Sequence, residues 1–202
     1  MSAREELLAR VRAAVTHTVP APEPFLPAHR RADFAVFAAQ LEAAGGEGFA
    51  VSAAELGSRV AQLCDRLAAG GRVLASDAAL LRLGTGPWRP VPADSQPHAL
   101  ADVSVAILVG ALAVAENGAV GLDGREARPR ALPVLCERLV LLVDADRIAP
   151  DMHAALARLP DGALAHHHFT FVAGPSKTAD IEGELVLGAH GPRGLTVFGV
   201  EG

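Results

Sequence analysis

One lysine, Lys177, stands among 18 basic residues, and it sits in the polar run Ser176-Lys177-Thr178 directly behind a Gly174-Pro175 corner. An ammonium flanked by two hydroxyls is a natural seat for a carboxylate or a phosphate. Thr178 is placed to cap a short helix whose first turn would hold Asp180 and Glu182, where exposed N–H groups favour acids. A second corner, His190-Gly191-Pro192, brings in Arg193. Lys177 and Arg193 are therefore expected to hold a small carboxylate or phosphate. Ser176 and Thr178 would donate hydrogen bonds, with Gly174 and His190 beside them. Ordinary turn chemistry accounts for the same residue types, so a purely structural loop stands as the alternative.

Glu116 is the sharpest single candidate for covalent or acid–base chemistry, with Asp180 as a second acid. It closes an apolar strand beside the tight Asn117-Gly118 turn, where burial would raise its pKa and make it a usable base or nucleophile. A hairpin-end glutamate facing water is the plain alternative. On a strand, His166 and His168 would share one face and suit two metal ligands, but no third ligand follows at diagnostic spacing, and no metal is expected. A phosphate-binding Walker loop needs glycine at positions 171 and 176, where Phe171 and Ser176 stand. GxGxxG after a strand, HExxH and GxSxG are also missing, so dinucleotide, metalloprotease and hydrolase readings lack their motifs.

These residues need a scaffold. Ser2 with Glu5 is a capping-box pattern, and Leu7, Leu8, Val11 and Val15 follow on one helical face. A proline-studded stretch from Pro20 to Pro27 separates it from a second amphipathic face, Phe34, Phe37, Ala38 and Leu41, which Gly45-Gly46 ends. Ser52 with Glu55 opens a helix striped by Leu56, Val60, Leu63 and Leu67, and Arg72 to Ala75 reads as a strand before a helix capped by Ser76 or Asp77. The runs Val103 to Val109 and Arg138 to Asp144 are nearly all apolar, as strands buried on both faces are. Asn117-Gly118 is a strong hairpin signal. The charged segment holding Asp123, Arg125, Glu126, Arg128 and Arg130 reads as solvated surface. Pro150 to Leu159 reads as a helix with Met152, Leu156 and Leu159 inward, and Phe169 to Val172 and Leu195 to Val200 as strands. Trp88, in the loop from Gly84 to Pro97, is expected to be packed over the core.

The 202 residues suffice for one domain with a substantial core. An aromatic share of 4% and a net charge of −5 argue against a nucleic-acid surface. The longest apolar run, Val103 to Ala115, falls far short of the roughly 20 residues a membrane helix needs, and the charged start MSAREELLARVR is no secretory signal. A cytoplasmic protein without membrane insertion is expected. Cys64 and Cys136 are far apart and no CxxC occurs, so a four-cysteine iron–sulfur cluster cannot be built from these thiols.

Two segments carry a family resemblance. GPSKTADIEGELVLGAHGPRGLTVF, Gly174 to Phe198, resembles the closing signature of the LUD domain family, of the lactate-utilisation protein C type. VSVAILVGALAVAENGAVGL, Val103 to Leu122, is similar to its middle motif, which usually reads glutamate-threonine-glycine where this chain has Glu116-Asn117-Gly118. The resemblance implies a fold like that of the ribose-5-phosphate isomerase and CoA-transferase (NagB/RpiA) superfamily. It also implies a part in oxidising L-lactate to pyruvate beside iron–sulfur partner subunits, which alone would carry the clusters. Glu116-Asn117-Gly118 further resembles the glutamate motif of class I CoA-transferases.

The expectation is a single α/β unit with a largely parallel central sheet carrying the Asn-Gly hairpin. Residues 1–45 would form a helical segment and residues 46–202 the LUD-type domain. A non-redox lactate-utilisation subunit leads; an acyl- or CoA-transferring enzyme using Glu116 and a small-anion binding module are the alternatives. The loops after Val172 and near Glu116 are both expected at the carboxyl ends of the strands, where ligands of such sheets sit.

Overall fold

A computed structural model describes residues 2–15, 19–20, 22–23, 32–92, 95–125, 127–159, 168–179 and 183–202. Helix α1 (Ala3–Ala14) starts from a complete Ser2–Glu5 capping box but buries no residue. Helix α2 (Phe34–Ala43) is different: Asp33 caps it, and Phe37 and Leu41 are buried. Although the sequence groups it with the N-terminal segment, α2 packs into the main core.

The chain then alternates strands and helices: β1 (Glu47–Ser52), α3 (Ala53–Leu67), β2 (Arg72–Ala75), α4 (Asp77–Leu83) and the two-residue β3 (Arg89–Pro90). After a 3-10 turn come β4 (Val103–Val109), β5 (Leu112–Val114), β6 (Ala119–Asp123), α5 (Leu132–Leu135) and β7 (Arg138–Asp144). Last are β8 (Ile148–Ala149), α6 (Met152–Ala157), β9 (Phe169–Val172), β10 (Lys177–Thr178), β11 (Val186–Leu187) and β12 (Gly194–Glu201).

Six strands in the order β1-β12-β7-β4-β2-β3 make the central sheet, and every pairing in it is parallel. The apolar runs explain why. Successive side chains of a strand point to opposite faces, and both faces are covered. Val105, Ile107, Val140, Leu142 and Phe198 pack under α3 and α4. Ala106, Leu108, Leu139, Leu141 and Val197 pack with Phe37 and Leu41 of α2. Each fully buried Leu, Ile or Val contributes roughly 1.5–3 kcal/mol by leaving water. Trp88 covers the first core as expected, 7% exposed, with its indole N–H donating to the Gly84 carbonyl at 3.0 Å.

Three expectations are corrected. The Asn-Gly hairpin belongs to a second, four-stranded sheet, β8-β5-β6-β9, which lies over one face of the parallel sheet. Gly110 makes this possible, because the chain folds back there and a Cβ would lie 2.4 Å from the Val120 side chain. Strand β9 pairs antiparallel with β6 in that second sheet, so Phe169 to Val172 is not part of the parallel array. Leu156 of α6 is 49% exposed and Ala155 takes the inward position, because the helix is only six residues long and starts at Met152.

Candidate functional site

The parallel sheet has two edges, and they hold different residues. At the amino edge lie the starts of β4, β7 and β12, together with the Gly-Pro corners. These corners are stitched to each other: Ser176 N–H donates to the Pro192 carbonyl at 2.8 Å, and Gly188 N–H to the Ser176 carbonyl at 2.9 Å. The Ser176 hydroxyl accepts from the His190 N–H at 3.3 Å. Beside them is a cavity of about 500 Å³ lined by Asp102, Ser104, Cys136, Glu137, His190 and Arg193 among others. Arg193 Nη1 is 4.0 Å from Glu137 Oε1 with both side chains half exposed or more, a pairing of little energy in water.

The structure keeps Ser176 beside His190 but gives Lys177 and Glu116 other partners. Lys177 donates from Nζ to the Ala44 carbonyl at 2.5 Å, at the C-terminal end of α2. That is where a cation meets the negative end of a helix dipole. Gly174 packs on the same turn, since a Cβ there would lie 2.5 Å from the Ala44 oxygen. Glu116 lies in the turn after β5, and its Oε2 accepts the Met152 N–H at 3.2 Å, so its carboxylate serves the first turn of α6. The cavity that holds His190 and Arg193 is lined by neither Lys177 nor Glu116. Thr178 pairs with Val186 in the short β10–β11 ribbon, and the helix start it was expected to cap falls on residues outside the described ones. Asp180, His166 and His167 lie outside the described residues; among those described, no cluster of metal-ligating side chains is found.

Contrary to expectation, the loop after Val172 reaches the amino edge, not the carboxyl edge. The second sheet explains it. Strand β6 runs toward Asp123, whose neighbourhood includes the end of β4, and its antiparallel partner β9 carries the chain back from Phe169 to the turn at Ala44.

The carboxyl edge, where ligands of such sheets bind, carries residues that motif reading missed. Asp144 ends β7 and accepts Arg82 of α4 in a fork, Nη1 at 2.5 Å and Nη2 at 3.2 Å. Arg147 approaches the same carboxylate, Nε to Oδ2 3.4 Å. Asp123 ends β6 and is 5% exposed, holding the Arg125 side chain through Nε at 2.9 and 3.0 Å and Nη2 at 2.5 Å. Two cavities flank this cluster. One of about 650 Å³ is bounded by Leu56, Arg82, Asp144, Arg147 and Glu201; the other, of about 260 Å³, by Arg82, Gly110, Asp123, Arg125 and Arg147. The usable sequence signal was an acid closing each apolar strand, Asp123 and Asp144, at the end where chemistry is expected. Asp123 was instead grouped with solvated surface.

Neither thiol offers a nucleophile. Burial pushes Cys64 up to about 11, with Asp65 adding to the shift, and burial pushes Cys136 up to about 12. Both are expected to resist a disulfide-exchange reagent at pH 8 in the native chain and to react at once in denaturant. The same shifts set a pH window. Below the ordinary thiol value of 9.0 both folded and unfolded thiols are neutral and nothing is lost. Above it the unfolded state sheds protons first, so stability falls as pH rises from about 9 toward 11 and 12.

Lys177→Met tests the tie to α2. Removing one cation from an exposed helix terminus is expected to cost about 0.3–1 kcal/mol, read as a small drop in melting temperature without ligand. An unchanged melting temperature would mean the ammonium does not stabilise that turn.

An all-parallel sheet with helices on one face and a small mixed sheet on the other, with acids closing β6 and β7, defines a layered α/β protein. The LUD domain model matches residues 98–198, half of the chain, and the chain belongs to that family. It is 32% identical over 109 residues to Lactate utilization protein C of Geobacillus kaustophilus, covering 52% of this chain and 45% of that protein. Against Lactate utilization protein C of Deinococcus radiodurans it is 32% identical over 120 residues, 55% of this chain and 57% of that protein. The matched stretch thus spans about half the length of these curated relatives. A crystal structure of a DUF162 family protein from Deinococcus radiodurans superposes with a TM-score of 0.66 at 20% identity, over 83% of this chain and 95% of that one. That likeness supports the fold.

Proposed function

We propose that this chain is a subunit or accessory protein of an L-lactate utilisation system, serving the oxidation of lactate to pyruvate beside iron–sulfur partners that carry the electrons. The observation behind this reading is the 32% identity to two proteins named Lactate utilization protein C, from Geobacillus and Deinococcus. Chemistry supports the division of labour. Lactate gives up two electrons and two protons on becoming pyruvate, so an acceptor is required. The two cysteines here sit in opposite cores, Cys64 on α3 and Cys136 at the end of α5, so a four-thiolate cluster needs cysteines beyond these two. The acyl-transfer alternative draws less support, because the Glu116 carboxylate is engaged with the Met152 N–H.

The test is affinity purification from the native host, with mass spectrometry and a visible spectrum of the eluate, beside growth of a deletion strain on L-lactate. A brown eluate with cysteine-rich partners and a lactate-specific growth defect is expected. A colourless eluate without such partners, together with normal growth on L-lactate, would overturn the proposal.

A further inference from the structure

We infer that the smaller carboxyl-edge cavity is a binding subsite for a small monocarboxylate of the 2-hydroxy or 2-oxo acid class, with Arg147 as the group that grips the carboxylate. The inference rests on the functional reading above for the acid's class, and on geometry for the place.

Three guanidiniums reach the cavity walls from three different elements: Arg82 from α4, Arg125 from the turn after β6, and Arg147 from the turn after β7. One lining carboxylate, Asp123, opposes them. Asp144, behind the wall, pairs with Arg82 and Arg147, so the cluster keeps one positive charge in excess, and that charge draws an anion. Two of the three arginines are already held. Arg82 gives both terminal nitrogens to Asp144, and Arg125 gives Nε and Nη2 to Asp123. Arg147 touches Asp144 through Nε alone, and among the described residues no hydrogen bond reaches its terminal nitrogens. The acids thus fix the two outer arginines and orient the third, leaving its planar fork for a bidentate partner.

Size narrows the class. About 260 Å³ lies just below the roughly 300–1,000 Å³ of sites that hold drug-sized ligands, a volume that suits a three-carbon acid. Gly110 and Ala111 also line the cavity, where β4 ends and the chain folds into the second sheet. That position is the carboxyl end of a central parallel strand.

Calorimetric titration of the purified chain with L-lactate, pyruvate and inorganic phosphate tests this, with melting temperatures recorded for each variant. Lactate or pyruvate is expected to bind. Arg147→Ala should weaken it about tenfold or more, the loss of a charge-assisted hydrogen-bonded pair. Arg147→Lys should recover part of the loss, and Arg66→Ala, at an exposed position of α3 away from this cavity, should leave binding unchanged. Binding of neither acid by the wild-type chain overturns the inference. So does affinity that survives Arg147→Ala, or falls instead in Arg193→Ala. Phosphate binding tighter than both acids, with the same dependence on Arg147, overturns the carboxylate assignment. A deletion strain growing normally on L-lactate while pyruvate still binds through Arg147 would sink the pathway reading and leave the subsite standing; a growth defect without binding does the reverse.

Discussion

Phe37→Ala is expected to lower stability by about 3–5 kcal/mol, the cost of deleting a buried phenyl ring. Phe37 is 0% exposed, lies in the core shared by both sheets, and pairs with the Phe34 ring at 5.6 Å. For a chain of 202 residues, each kcal/mol moves the melting temperature by roughly 2–4 °C. The drop should therefore be about 6–20 °C in a calorimetric or circular-dichroism melt. The reach of this change goes beyond packing, because α2 is what the two recognisable motifs rest on. The hairpin carrying Glu116 touches α2 at Gln40 and Leu41, and the signature loop carrying Gly174 and Lys177 touches it at Ala44. Leu81→Ala, at a position 90% exposed, is the companion and should stay within about 0.5 kcal/mol. A Phe37→Ala loss below that of an exposed site would mean that α2 does not belong to the folded body.

Gly118→Ala is the second large effect, and a paired substitution isolates its cause. Gly118 has φ +67° and Gly70 φ +83°, conformations that cost an L residue about 1–2 kcal/mol. Their surroundings differ. A Cβ at Gly70 meets nothing within 4 Å, whereas one at Gly118 would lie 2.5 Å from Leu41 N and 2.6 Å from its Cα. Helix backbone cannot yield as a flexible side chain does, so overpacking adds about 1–3 kcal/mol. Gly70→Ala should therefore cost about 1–2 kcal/mol and Gly118→Ala about 2–5. Equal losses at the two sites, measured by denaturant titration, would show that the hairpin does not press on α2.

The strands of the parallel sheet were legible because burial on both faces leaves an unbroken apolar run, as in Val103–Val109 and Arg138–Asp144. Strand β1 was not, since Glu47-Gly48-Phe49 has no such run and forms by pairing with β12 at the sheet edge. Periodicity also could not say which sheet a strand joins. The Asn-Gly hairpin and β9 read correctly as local structure, yet they lie in a separate layer because of one fold-back at Gly110. The carboxyl-edge cluster stayed hidden for a related reason. Arg82 and Asp144 are 62 residues apart, and only the sheet order brings α4 beside the end of β7. Lys177 was conspicuous as the lone lysine, but conspicuousness in composition did not reveal that its partner is the last turn of a helix 133 residues earlier.

Everything functional here depends on which edge of the parallel sheet receives the acid. A crystal structure of the chain soaked in pyruvate or L-lactate decides it most directly. Electron density for the acid against Arg147, between the ends of β4 and β6, is the predicted result; density at the opposite edge, against Arg193 and His190, would contradict it.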